Sequence, residues 1–300
     1  MAVAVVGTPR AAVSAPGATF AELLRQPFHK MSGSGNDFVF FDARPAGAPS
    51  DVTAAAVAAV CARGTGVGAD GLVVFDQPSP RRVRIVYYNG DGSRAALCGN
   101  ATLCAASLAR HLGAVAPNVP FRIETDAGEL DAIAPADEDP SFELAPVQSL
   151  RPDLVDARAG QGQAAEQRLG YAVAGVPHVV VLVADVDAVA LAARSPVLRR
   201  PTVDRPGGAN VNYVSRAESG AWRMRTFERG VEGETLACGT GAVACAALLH
   251  AWGEAAAEVS LLTRSGRPLR VSLPPPGVRG PRLSGEGRLV FTGKLVSSGQ

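Results

Sequence analysis

Apolar residues along this chain fall in short runs broken by glycine and polar turns, the pattern of many strands and few helices. Residues 28–41 hold two apolar stretches around Ser32-Gly33-Ser34-Gly35-Asn36-Asp37, which predicts strand, loop, strand. Similar runs predict strands at 72–75, 83–88, 121–125 and 130–134. In the second half they predict strands at 179–183, 211–215, 222–227, 259–263, 269–271 and 289–292. Alanine-rich stretches predict helices at 52–62, capped by Ser50 or Asp51, and at 99–112 and 239–252. Strands thus surround one well-marked helix in each half. Residues 135–162, rich in Pro, Asp, Ala and Gly, contain the predicted junction between the halves.

The two main helices begin alike. Cys98-Gly99-Asn100 follows the turn Asn89-Gly90-Asp91-Gly92-Ser93, and Cys238-Gly239-Thr240-Gly241 follows Glu228-Arg229-Gly230-Val231-Glu232-Gly233. Aligning Cys98 with Cys238 also pairs Gly99 with Gly239, Ala106 with Ala246, Leu108 with Leu248 and Gly113 with Gly253. A duplicated αβ unit with one cysteine per copy is the inference. A lone cysteine is more often a small buried hydrophobe, the reading that fits Cys61, Cys104 and Cys245. At a helix start, however, unpaired amides and the helix dipole favour a thiolate.

Two such thiols suit one reaction in particular. Inverting a carbon next to a carboxylate requires a proton removed from one face and another returned to the opposite face. Two fixed groups, one thiolate and one thiol, do this directly. The ordinary thiol pKa, about 8.5, leaves both forms accessible. Amides at Gly99-Asn100 and Gly239-Thr240 can hold the carboxylate as charge spreads onto it. No pyridoxal phosphate is then needed, and no lysine lies in a recognisable cofactor setting; no cofactor and no metal are expected.

Composition narrows the partners. With 29 basic and 28 acidic residues the chain has no electrostatic reason to bind nucleic acid or a membrane surface. No apolar run reaches the ~18 residues of a membrane span. Five cysteines, an odd number at spacings unlike zinc or redox pairs, predict a reduced cytoplasmic protein. Residues 1–26 lack a signal-peptide pattern and are expected to be a disordered extension, or the result of a start codon placed too early.

The chain resembles the diaminopimelate epimerase family, the cofactor-independent two-cysteine amino-acid epimerases. The resemblance is carried by Gly33-Ser34-Gly35-Asn36-Asp37-Phe38, Gly66-Val67-Gly68-Ala69-Asp70-Gly71, Asn89-Gly90-Asp91-Gly92-Ser93, Cys98-Gly99-Asn100, Glu228-Arg229-Gly230 and the run from Gly233 to Gly241. It implies an α+β fold of two pseudo-symmetric αβ domains, each a curled, mostly antiparallel sheet around a central helix, with the site between them. The implied domains are 27–145 with a last strand at 288–297, and 146–287. The resemblance also implies a homodimer and a small amino-acid substrate, LL- and meso-2,6-diaminopimelate, in lysine and peptidoglycan biosynthesis. By position, Cys98 and Cys238 correspond to the acid/base pair, Cys98 serving the LL form and Cys238 the meso form. Asn36, Asn89 and Asn210 correspond to substrate-contacting asparagines, with Gly99, Asn100, Gly239 and Thr240 at the carboxylate turns. Glu228 and Arg229 correspond to the clamp on the far end, a pairing that suits a zwitterion because Arg forks onto carboxylate and Glu meets ammonium. Alone, Glu228-Arg229 reads as a solvated charge pair.

Three departures from the family pattern bear on substrate choice. Val176 stands where the family often has Asn, Ala101-Thr102-Leu103 follows Cys-Gly-Asn, and Val231-Glu232 adds one residue before Cys238. They leave two rivals: a two-cysteine racemase for another substrate such as histidine or a broader set, and a non-catalytic zwitterion-binding homologue. His178 is expected to be a structural, hydrogen-bonded residue.

Overall fold

Strands and helices come in the same order twice. The computed structural model describes residues 19–154, 166–202, 205–275 and 280–296. The first half runs α1 (Phe20–Leu23), β1 (Pro27–Gly33), β2 (Asn36–Asp42), α2 (Ala54–Cys61), β3 (Gly71–Ser79), β4 (Arg82–Asn89), β5 (Arg94–Ala95), α3 (Gly99–His111), β6 (Phe121–Thr125), β7 (Gly128–Ile133) and β8 (Ser141–Glu143). The second runs β9 (Gln148–Arg151), β10 (Glu166–Ala174), β11 (Val176–Val183), α4 (Leu191–Arg199), β12 (Asn210–Arg216), β13 (Trp222–Glu228), β14 (Gly233–Thr235), α5 (Gly239–Ala251), β15 (Glu258–Leu262), β16 (Pro268–Ser272), β17 (Arg282–Gly285) and β18 (Arg288–Lys294).

The pairing repeats as well. β1 to β2 is antiparallel, β2 to β3 parallel, β3 to β4 antiparallel, β4 to β6 parallel and β6 to β7 antiparallel. β10, β11, β12, β13, β15 and β16 repeat that sequence of senses strand for strand. Each parallel step is crossed by a helix, as parallel neighbours require: α2 and α4 make the first crossing, α3 and α5 the second. The short β5 and β14 fold back on β4 and β13 immediately before the second helix. The halves are joined by exchanged strands. β8 pairs with both β7 and β17, and the final β18 returns to β1, whereas β9 lies on β10 within the second half.

The curled sheets explain the composition of the two central helices. Eleven successive residues of α3, Gly99 to Ala109, are buried, and in α5 every residue from Gly239 to Leu249 except Thr240. A helix surrounded by sheet has no water face and so carries apolar residues all round. Small side chains let the strands approach, and Leu103, Leu108 and Leu248 fill the core with Phe142, Ile123 and Leu269. One continuous apolar cluster contains both helices.

Four local expectations differ. Residues 19–26 are ordered: Thr19 and Glu22 form a reciprocal capping box, and Phe20 and Leu23 are buried against Phe28 and Phe41. Residues 1–18 lie outside the described residues. Asp51 does not cap α2; its carboxylate accepts from the Phe20 amide at 2.7 Å, and Thr53 takes the cap by accepting from Ala56. The pattern also missed α4, which contains Pro196 and starts at an uncapped Ala190. It missed β10, where Gly170 leaves room for Leu248 and Trp252 of the helix beneath.

Candidate active site

Each cysteine is the N-cap residue of its helix. Cys98 has φ −131° and ψ 115°, and Cys238 has φ −137° and ψ 109°, so the two turns are conformational copies. An N-cap side chain projects over the free amides of the first turn. Asn100 and Thr240 therefore sit inside the helices rather than capping them. Burial pushes the Cys98 thiol up to about 11; the Ala101 and Asn100 amides and the Tyr87 phenol work against this, while Glu228 adds to it. Burial likewise pushes Cys238 up to about 12; Glu228 and charge on Cys98 add to it, while the Thr240 hydroxyl and the Gly241 amide oppose it. Desolvation thus outweighs the helix amides, and neither thiol keeps the near-ordinary value expected from the sequence. Glu228 bears on both sulfurs, and Cys98 on Cys238.

The helix tips meet. A Cβ on Gly99 would stand 3.4 Å from the Gly239 Cα, and one on Gly239 would stand 3.4 Å from the Gly99 Cα and 2.8 Å from Leu283 Cδ2. A side chain at Gly239 would press on Leu283, while one at Gly99 would just touch the opposite tip. Two helix N-termini face each other, and each carries roughly half a positive charge, an arrangement that an anion between them relieves.

Around the first tip lies a charged network. The Asp37 and Asp70 loops interlock: the Asp70 amide donates to Asp37 Oδ1 at 3.2 Å, and the Asp37 amide to Asp70 Oδ2 at 3.2 Å. Arg63 spans both carboxylates at 2.7 Å, and buried Lys30 donates to Asp37 at 2.7 Å and to the Gly68 carbonyl. Burial opposes ionisation of Asp37, but hydrogen bonds from Arg63 and Lys30 hold its carboxyl below the usual range. Asn36 Nδ2 donates to Asp70 at 2.9 Å, which turns its oxygen to accept from Asn100 Nδ2 at 2.8 Å. Asn100 also reaches across to the Ala237 carbonyl, next to Cys238, at 3.3 Å. Asn89 closes its own turn through Ser93, and the neighbouring Gly90 amide donates to the Asp70 carbonyl.

The second tip is bordered by β11, β12 and β13. Asn210 Oδ1 accepts from the Arg229 amide at 2.7 Å, and the Arg229 guanidinium donates to the Gly207 carbonyl at 3.2 Å. Partial burial raises the pKa of Glu228, with the Thr235 hydroxyl opposing and Asp70 adding. His178, fully buried, lies 3.1 Å from the Thr240 hydroxyl. Burial, with Arg229 adding, pushes it down to about 3, so it is neutral. The expected residues therefore fall in two groups: Asn100 is tied through Asn36 to Asp70, with the Asn89 turn held against Asp70 by the Gly90 amide, and Asn210, Arg229 and Thr240 lie beside His178.

The departures fall in different places. Val231 is 62 % exposed and Glu232 pairs with Arg199, so the added residue bulges into solvent. Ala101, Thr102 and Leu103 pack inside α3, with the Thr102 hydroxyl donating back to the Cys98 carbonyl at 2.9 Å. Ala101 reaches the site through its backbone amide alone, whereas Val176 follows Gly175, whose added Cβ would lie 3.7 Å from Thr240 Cγ2. Sequence reasoning passed over Tyr87, Asp70, Arg63 and Lys30 as supports. Asp37 and Asp70 stood inside quoted motifs, but nothing local marked their partners.

Comparison with known proteins agrees with this picture. A family model described as diaminopimelate epimerase matches residues 28–149 and 170–272. A diaminopimelate epimerase from Gemmatimonas aurantiaca is 47% identical over 281 residues, covering 90% of this chain and 99% of its own. Those of Methanocella arvoryzae and Aquifex aeolicus are 38% and 36% identical, covering 80% and 89% of this chain and 87% and 97% of their own. Among solved structures, a Bacillus anthracis phenazine biosynthesis protein of the PhzF family superposes with a TM-score of 0.68 at 15% identity, covering 90% of this chain and 98% of its own. A probable proline racemase from Agrobacterium radiobacter gives 0.63 at 17%, covering 90% and 92%. These distant structures share the fold alone. The α+β fold and the curated relatives together define an isomerase of the amino-acid racemase and epimerase class. The chain belongs to the diaminopimelate epimerase family.

Proposed function

We propose that this protein interconverts LL- and meso-2,6-diaminopimelate by two-base proton transfer between Cys98 and Cys238. The observation that carries this reading is the meeting of two cysteine-capped helix tips at Gly99 and Gly239. The α-carboxylate binds between the tips, on the amides of Gly99, Asn100, Gly239 and Thr240. One cysteine, as thiolate, takes the α-proton. The electron pair left on carbon delocalises into the carboxylate, where the amide donors hold it more strongly than in the ground state. The opposite thiol then delivers its proton to the other face and is left as thiolate. Cys98 serves the LL form and Cys238 the meso form. Asn36, Asn89 and Asn210 contact the substrate, and Glu228 and Arg229 clamp the distal ammonium and carboxylate.

Incubation in heavy water with a panel of amino acids tests this. The expected result is deuterium uptake at the α-carbon of diaminopimelate, far faster than for histidine or other amino acids. Faster exchange on another amino acid would establish the broader racemase instead. Tight binding without any exchange would establish a non-catalytic homologue.

The chain is further proposed to divide into domains 27–145 with 288–297, and 146–287. The repeated strand order supports this, as do the pairing of β9 with β10 inside the second unit and the return of β18 to β1. We place the protein in the cytoplasm, where its cysteines stay reduced; no helix among the described residues is long and apolar enough to cross a membrane. A homodimer is also proposed. Among the described residues β18 pairs only with β1, and it exposes Val290 and Phe291 at 45% and 47%. Phe291→Glu should then shift the mass in light scattering from dimer to monomer, whereas a monomeric wild type would end this assignment.

A further inference from the structure

The two sulfurs are not equivalently supported. Position 240 corresponds to position 100 in the repeat, but the Asn100 side chain bonds Asn36 and Ala237, while the Thr240 hydroxyl lies 3.6 Å from Cys238 Sγ. Behind Thr240 runs a buried polar chain with a single consistent set of proton positions. Asn212, on β12, puts Nδ2 3.2 Å from the Val179 carbonyl. A carbonyl only accepts, so this atom is the amide NH2. The same Nδ2 lies 3.1 Å from His178 Nδ1, and the Asn212 oxygen accepts from the Thr226 hydroxyl at 2.9 Å. His178 Nδ1 is therefore an acceptor. A neutral imidazole then carries its proton on Nε2, which faces Thr240 Oγ1 at 3.1 Å. An oxygen that receives this donor leaves its own proton to point elsewhere, and the sulfur is the group in reach.

We propose that Asn212 is a positioning residue which, by fixing the Nε2–H form of His178, turns the Thr240 hydroxyl proton onto the sulfur of Cys238. No proton travels along the chain. When Cys238 is a thiolate, Thr240 donates to it; when Cys238 is a thiol, the Thr240 oxygen already holds the His178 donor and the S–H stays available to substrate. His178 acts as a donor and not as a base, since one ring nitrogen keeps its proton and the other is occupied by Asn212. Gly241 makes the assembly possible: a Cβ there would stand 2.5 Å from the Asn212 oxygen and 3.2 Å from Cys238 Sγ. The other charged or titratable groups bearing on these residues are Glu228 and Cys98 toward Cys238, and Arg229 toward His178. Cys98 has the Tyr87 phenol in place of this chain.

The proposal builds on Cys238 as an acid/base group, but its test needs no substrate, so its failure can be told from failure of the proposed activity. Intact protein is treated with iodoacetamide at a fixed mildly alkaline pH, and each cysteine's labelling is read by peptide mass spectrometry, with Cys98 as the internal reference. Thr240→Val should slow Cys238 labelling by about tenfold, the usual worth of a hydrogen bond to a charged group, with Cys98 unchanged. Thr240→Ser should keep the wild-type rate, and Asn212→Ala should slow Cys238 alone by a few-fold. NMR of isotope-labelled histidine should show Nε2 protonated and Nδ1 bare in the wild type. Equal slowing of both cysteines in Thr240→Val, no slowing of Cys238 in either variant, or an Nδ1-protonated His178 would each overturn it.

Discussion

Replacing Cys98 or Cys238 with serine should lower epimerisation at least about a thousandfold, within the range that a positioned acid or base supplies, while leaving the protein as stable or more so. The two effects have separate causes. Serine is among the best N-cap residues, and its hydroxyl oxygen accepts from the first-turn amides more strongly than a thiol sulfur does. Thermal midpoints should therefore hold or rise. The hydroxyl, however, is far too weak an acid to ionise in a site that already pushes a thiol up to about 11 or about 12. No neighbour can replace the sulfur. Burial moves the Tyr87 phenol far above its ordinary range, so it cannot act as a base. Glu228 bears on both sulfurs but is proposed to hold the substrate's distal ammonium. In heavy water the wild type should place deuterium in product while recovered substrate stays mostly protiated, because the two faces use different groups. A serine variant retaining a tenth of wild-type turnover would remove that cysteine from the chemistry.

What the chain disclosed, and what it hid, follows from the range of the interactions. The cysteine turns were legible because thiol, glycine and helix start are adjacent in sequence, and the cap geometry depends on nothing else. Glu228-Arg229 was legible only through the family, since two adjacent charges at a strand end carry no local sign of burial. The supports were not legible at all. Lys30 and Asp37 come from β1 and β2, Arg63 and Asp70 from the connection between α2 and β3, and the parallel pairing of β2 with β3 brings them together. Asn212 looked like one more polar residue in a strand; the parallel register of His178 against Asn210 puts it behind the histidine. Helix α1 was hidden for a similar reason, because its first amide is satisfied by Asp51 from a distant loop. The apolar runs marked the long core strands, but not β10, where Gly170 makes room for the helix, nor the short β5, β8, β9, β14 and β17, which have too few residues to show an alternation; Pro196 likewise hid helix α4.

Gly35→Ala should reduce kcat/KM by roughly 10- to 100-fold, on the scale of misplacing catalytic groups by an ångström, and Ser265→Gly in the same chain should restore much of it. Gly35 turns β1 into β2 with φ 104°, and a Cβ there would stand 2.3 Å from Ser265 Cβ and 3.3 Å from Leu236 Cβ. Ser265 and Leu236 belong to the opposite half; Leu236 lies two residues before Cys238, and its carbonyl accepts from the Ser265 amide. The added methyl therefore pushes directly between the halves, beside the Asn100 bridge to Ala237. A small rotation that opens the cleft relieves the overlap at little cost, whereas moving the strands within either half would break ladders. Activity should fall much further than stability for that reason. Backbone strain contributes separately, since a side chain at this φ costs about 1–2 kcal/mol wherever it points. The double variant separates the two causes: removing the Ser265 side chain ends the overlap and leaves the strain. If Gly35→Ala/Ser265→Gly stays as inactive as Gly35→Ala, the loss comes from the turn itself, and contact between the halves at this point is not what aligns the two sulfurs.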